Sequence, residues 1–255
     1  MFFDSHAHYD DKRFDGDRFE TITKVFNSGV TYILNASADI RSSRDTVSLT
    51  KEYEFIYGAV GIHPHNAAKI DNNTFGVLEE LTKNDKIVAI GEIGLDYHYN
   101  FSPKEIQKFH FANQIAFAKK LNLPIIVHDR DAHRDVMDIV STEGAEDIGG
   151  VFHCYSGSVE MLRDVLDMNF HISVGGVLTF KNVKKLIEVV KYVPMDRLLI
   201  ETDCPYLAPE PYRGRRNDSG YIHLVAKRIS ELRGMSEEEV AQITLNNAKN
   251  LFKIK

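Results

Sequence analysis

Three stretches decide the fold: Lys86–Glu92 reads KIVAIGE, Leu123–His128 reads LPIIVH, and Arg197–Asp203 reads RLLIETD. Each is nearly continuous in β-branched and aliphatic residues. A strand with one wet face alternates apolar and polar positions, so continuous runs indicate strands covered on both faces, as in a parallel sheet. Five more short runs lie at Met1–His8, Tyr32–Ser37, Phe55–Ile62, Val151–His153 and His171–Gly175, which makes eight strand candidates. Helical patterns fall between them. Phe19, Ile22, Val25 and Phe26 share a helical stripe with Gly29 as its stop, and Ile106, Phe109, Ala112, Ile115 and Ala116 form a second. Met161, Leu162, Val165 and Leu166 form a third, and Ser236 with Glu239 is a capping-box signature ahead of Val240 and Ile243. Strands alternating with helices predict an α/β fold, and eight of them a closed (β/α)8 barrel. The 255 residues carry no low-complexity tract or Pro/Gly-rich linker, so residues 1–255 read as a single domain.

The same runs end on chemistry. Strand one finishes in Asp4-Ser5-His6-Ala7-His8, where residues two apart point the same way, so His6 and His8 converge. Glu92 ends IVAIGE, His128 ends PIIVH, His153 ends GVFH, Asp203 ends LLIETD and His63 ends AVGIH. In a parallel barrel these ends share one rim, where active sites sit. Imidazoles with carboxylates suit zinc, manganese and similar ions better than calcium. His6, His8, Glu92, His128, His153 and Asp203 exceed one four-coordinate site. Glu92 could bridge two ions about 3.5–4 Å apart, an arrangement used in phosphoester hydrolysis. Arg213, Arg215 and Arg216 follow the last strand, where barrels often bind phosphate, although a solvated charge run explains such a cluster equally well. Cys154 and Cys204 adjoin two of these positions and should point the opposite way, as buried thiols.

Composition excludes other classes. A net charge of -6 argues against gripping long duplexes, which favours a basic excess. Two cysteines are too few for a disulfide scaffold. The opening MFFDSHAHYD lacks the basic start and apolar run of a signal peptide, and no apolar stretch nears the roughly 18 residues of a membrane span. The expectation is a cytoplasmic protein without membrane partners.

The ordered blocks DSHAHYD, GIHPH, GEIGLDYH, PIIVHDRDA, FHCYSG, ETDCPYLAP and YRGRRN, with Asn246-Asn247-Ala248 near the end, resemble the TatD family of metal-dependent deoxyribonucleases, within the amidohydrolase-like superfamily. The resemblance implies a distorted TIM barrel. It implies two divalent ions (Mg, Mn or Zn), one at His6, His8, Glu92 and Asp203 and the other at Glu92, His128 and His153. It also implies DNA hydrolysis from 3′ ends, with His63 and the arginine loop near the substrate phosphate. The chain departs from the family pattern at Asp218-Ser219, where an acid and a proline are usual. In the mechanism expected, the metals polarise phosphoryl oxygens and activate water, Asp203 takes its proton as general base, and Glu92 completes the catalytic pair. The alternatives are a small-molecule amidohydrolase, an aminoacyl-tRNA deacylase, or a non-catalytic barrel. A complete ligand set argues against the last.

Overall fold

The computed structural model describes residues Met1–Lys255. Eight strands form one parallel sheet in sequential order: β1 (Phe2–Ala7), β2 (Val30–Ala36), β3 (Ile56–Val60), β4 (Ile87–Asp96), β5 (Ile125–Arg130), β6 (Gly150–Phe152), β7 (Phe170–Val174) and β8 (Leu198–Ile200). Helices follow as α1 (Arg18–Asn27), α2 (Ile40–Glu52), α3 (Thr74–Leu81), α4 (Lys104–Leu121), α5 (His133–Thr142), α6 (Val159–Asp167), α7 (Lys184–Tyr192), α8 (Ile222–Arg233) and α9 (Glu237–Leu251). The sheet curls into a nearly closed TIM barrel. Neighbouring strands pair through ladders of three residues or more, whereas β8 has no ladder with β1, and the chain four residues past β8 reaches it through a single bridge, Cys204 to Ala7. Side chains reinforce that seam: Ser5 Oγ donates to the Ile200 carbonyl at 2.9 Å, and Asp4 accepts from the Thr202 amide at 2.9 Å.

The amino end of the barrel is packed shut. Phe3, Leu34, Val88, Ile126, Val151 and Leu199 cluster with Leu245 and Ala248 of α9 and with Phe252 just beyond it. The capping box holds as expected: Ser236 Oγ accepts from the Glu239 amide, and Glu239 accepts from the Ser236 amide. No helix is long and apolar enough to cross a membrane.

The stripe expected on α4 is corrected. Ile106 and Phe109 are exposed, and the buried face carries Gln107, Phe111, Gln114 and Ile115. The two glutamines face inward because each satisfies loop backbone. Gln114 accepts from the Ile62 amide at 2.8 Å and donates to its carbonyl at 3.0 Å. Gln107 does the same for Asp96, at 2.8 and 3.0 Å. A buried peptide group costs free energy unless paired, so one helix pins the chain beside His63 and at Asp96.

Glu92 and His128 were expected at strand ends. Instead β4 continues four residues beyond Glu92, and β5 two beyond His128, with Asp96 paired to Arg130. A register shift between Ile90 and Ile93 breaks the ladder at Glu92. Gly94 makes the close approach of these strands possible. Its φ is +142°, and a Cβ there would lie 2.0 Å from the His128 carbonyl oxygen. Gly94→Ala should therefore cost about 3 kcal/mol or more in chemical denaturation. Gly76→Ala, in open space within α3, should be neutral or gain up to about 1 kcal/mol. Equal midpoints for the two variants would refute this account of Gly94.

Candidate metal centre and its cleft

The carboxyl ends of the strands bring six of the expected residues into one cluster. His6 Nε2 and His8 Nε2 face each other at 3.1 Å. Asp203 Oδ1 lies 3.2 Å from His8 Nε2 and 3.8 Å from His6 Nε2. On the other side, Glu92 Oε1 lies 2.6 Å from His128 Nδ1 and 2.7 Å from His153 Nε2. The remaining Glu92 oxygen, Oε2, faces His6 Nε2 at 3.4 Å and His8 Nε2 at 3.7 Å. Glu92 thus has one oxygen in each half. Its side chain is 4% exposed, whereas Asp203 is 15% exposed and opens on the cleft.

The outer contacts fix which ring nitrogens point inward. His8 Nδ1 donates to the Ala36 carbonyl at 2.8 Å, leaving the Nε2 lone pair facing the cluster. His128 Nε2 donates to Asp96 Oδ2 at 3.2 Å, leaving the Nδ1 lone pair against Glu92. Behind His153, Nδ1 is 3.7 Å from Glu201 Oε1. The Ala36 carbonyl and Asp96 are the kind of partner that metal-ligating histidines use to fix their tautomer, whereas buried His153 Nδ1 has no hydrogen-bond partner. A lone pair set 2.6 Å from a carboxylate oxygen is repulsive unless positive charge lies between them, and either a proton or a cation can supply it. The donor set therefore fits divalent ions that suit nitrogen and oxygen ligands.

The titration behaviour follows from the same crowding. Burial works against charge on His8, but Asp203 and Glu92 outweigh it and lift the imidazole to about 10. Burial likewise opposes charge on His153, yet Glu92 and Glu201 hold it well above the usual histidine range. Burial would raise Glu92, but His153 and His128 keep its carboxyl well below the ordinary value. In the absence of a cation, protons on the imidazoles offset the buried carboxylates. A bound cation must displace those protons, so cation affinity should weaken toward acid.

His63 adjoins Glu92 and His128, and its ring nitrogen lies within 4.8 Å of their ligand atoms. The His65 amide donates to His63 Nδ1 at 3.1 Å, so in the neutral ring the proton sits on Nε2. Burial pushes His63 well below its ordinary pKa and keeps it neutral. Nε2 lies 3.5 Å from Glu92 Oε1, so the ring offers a donor, not a lone pair, to the cleft.

The arginines of the last loop lie elsewhere. Arg216 pairs with Asp17 at 2.6 and 2.7 Å, and Arg213 stacks on Phe180 with Cζ 4.3 Å from the ring centre. Arg215 reaches toward Tyr212, and none of the three lines the cleft. The loop is nonetheless anchored despite the Asp218-Ser219 departure. Buried Asn217 donates to the Thr202 and Tyr206 carbonyls, and Ser219 Oγ accepts from the Tyr9 hydroxyl. The cations that do line the cleft are Arg130 and Lys185.

Cys204 is buried as expected, but Cys154 is not turned away. The chain leaves β6 before it, at φ +44°, and its thiol lines a cavity beside His153. Two cavities of about 510 and 420 Å³ meet at the cluster, sharing His128, His153, Asp203 and Arg130.

Asp96, His65, Glu201 and Arg130 were not singled out from the sequence. A signal existed for one of them: Asp96 lies four residues from Glu92 within β4, an even spacing that keeps one strand face.

The chain is similar to known proteins along its whole length. The family model described as TatD related DNase matches residues 3–253. YabD of Bacillus subtilis, an uncharacterised metal-dependent hydrolase, is 49% identical over 254 residues, covering 100% of both chains. The 3′-5′ ssDNA/RNA exonuclease TatD of Escherichia fergusonii is 32% identical, covering 99% of each. The crystal structure of YJJV, a TatD homologue from Escherichia coli, superposes with a TM-score of 0.93 at 29% identity, covering 100% of this chain and 98% of that one. In sequence and in barrel, the chain belongs to the TatD family of metal-dependent hydrolases.

Proposed function

We propose that the protein is a divalent-metal-dependent phosphodiesterase that removes nucleotides from the 3′ ends of single-stranded DNA. The observation that carries this reading is Glu92, one oxygen facing His6 and His8 and the other facing His128 and His153. A carboxylate shared between two nitrogen sets suits a pair of cations, the arrangement used on phosphoesters. His6, His8, Asp203 and Glu92 would hold one ion, and Glu92, His128 and His153 the other. Mn²⁺ and Zn²⁺ suit this mixture, and Mg²⁺ would lean on the carboxylates. When bound, the ions supply Lewis acidity toward phosphoryl oxygens and make water a stronger acid.

The chain's own groups do the rest. Asp203, the carboxylate open to the cleft, accepts the proton of the attacking water. His63 donates its Nε2–H to a phosphate oxygen, and because it is neutral it does so without competing for a cation. Asp96 holds His128 in orientation. The similarity to an exonuclease acting on single-stranded DNA and RNA supports nucleic acid as substrate, and a net charge of -6 favours ends over long duplex.

The test is turnover of end-labelled single- and double-stranded DNA by metal-stripped protein, with Mg²⁺, Mn²⁺ and Zn²⁺ returned separately. The expected result is stepwise shortening from the 3′ end of single strands, restored by at least one ion. Hydrolysis of cyclic amides or aminoacyl-tRNA, with DNA untouched under every ion, would reject this reading for the other ester and amide classes.

A further inference from the structure

The loop after β4 holds two aromatic rings out in water. Tyr99 is 49% exposed and Phe101 is 68% exposed. They stack on each other at 5.4 Å with 6° between their planes. Exposed rings this close to a buried polar cluster are held there by structure. His65 packs edge-on against both, at 5.4 and 4.8 Å, and its Nε2 is bound to Asp96 Oδ2 at 2.8 Å. The same carboxylate orients His128. Two amides, of His98 and Tyr99, donate to Asp96 Oδ1 at 3.0 Å and fix where the loop departs. The shelf is thus tied through one buried carboxylate to the metal-ligand cluster.

Charge complements it. The Arg130 guanidinium lies 4.8 Å from the centre of the Tyr99 ring. Tyr99 and Arg130 line the same cleft as Glu92 and Asp203, with Tyr206 on its wall. Aromatic faces beside a cation, in a groove that leads to a phosphodiester site, match how proteins hold unpaired nucleotides: bases stack and the backbone meets positive charge. A paired base cannot offer its face, because its neighbours in the helix cover it.

We propose that the Tyr99–Phe101 shelf stacks an unpaired base next to the scissile phosphate, with Arg130 contacting the backbone, and that this stacking is how the enzyme selects single-stranded ends. The proposal rests on the phosphodiesterase reading above and names the part of the substrate recognised. Arg130 thereby takes the role first expected of the arginine loop.

Two single strands test it, one ordinary and one whose last nucleotides at the 3′ end are abasic. The full-length enzyme should prefer the ordinary end. In Tyr99→Ala/Phe101→Ala that preference, as a ratio of kcat/KM, should fall about 5- to 100-fold, chiefly through KM. Tyr99→Phe/Phe101→Tyr should keep it. A 2-aminopurine at the 3′ end should be quenched on binding to the wild type and to the conservative variant, but not to the alanine variant. Unchanged preference and quenching in the alanine variant would overturn the shelf while leaving the nuclease reading intact. Failure of the wild type to cleave either strand would overturn both.

Discussion

Asp203→Asn should keep its fold and most of its metal while losing about 10²–10⁴-fold in kcat. The expectation follows from position. Asp203 stands three residues beyond the end of β8, in the left-handed region at φ +54°, with its carboxylate toward the opening of the cleft. An asparagine can still turn an oxygen toward His8 and a cation, and Asn tolerates positive φ well. It cannot accept a proton from water. KM should change little, because a proton transfer is felt in the transition state and not in binding. The measurement is kcat and metal content on the same samples, by steady-state kinetics and elemental analysis. Full loss of metal would make Asp203 primarily a ligand. Metal retained with near-normal kcat would assign the proton to another group.

Glu92→Gln should behave differently, because the lost charge belongs to both halves of the cluster. Glu92 is the one carboxylate within 4 Å of all four of His6, His8, His128 and His153. An amide offers one oxygen and turns its NH₂ donors toward whatever shares the other half. Removing an outer partner of a metal site typically costs 10–100-fold in affinity, so loss of a shared inner one should exceed about 100-fold. Titration calorimetry with Mn²⁺ and Zn²⁺ should show that weakening in step with the loss of rate. Saturating metal that restores full turnover would mean Glu92 only gathers ions. Unchanged affinity would remove the bridge from the proposal.

The barrel was legible because its strands carry a signal that needs no tertiary information: KIVAIGE, LPIIVH and RLLIETD are apolar on both faces, which only a covered strand tolerates. The cluster was legible because its members stop those runs. Legibility failed where tertiary pairing overrides local pattern. α4 buries Gln107 and Gln114 because loop amides need partners, and no periodicity rule anticipates a polar residue on the inner face. The arginine loop misled for the opposite reason. Its charges are adjacent in sequence, but Asp17, 199 residues before Arg216, claims one of them across the fold. Arg130 was passed over because it lies two residues past His128 in a run of ordinary-looking charges, and only the pairing of β4 with β5 brings it over Tyr99.

The thin seam between β1 and β8 has a consequence for the life of the protein in a metal-poor cell. The first strand meets the segment that follows the last one through one backbone bridge, and His6 and His8 stand on one side of it with Asp203 on the other. An ion held by these three would rivet the two ends of the chain at the place where the ring is least closed. Anything that binds only the folded state adds its binding free energy to stability. Metal scarcity would then do more than silence the enzyme. It would loosen the join, expose the first strand to proteases, and draw down the amount of protein along with its activity, so that supply of the ion sets abundance as well as rate.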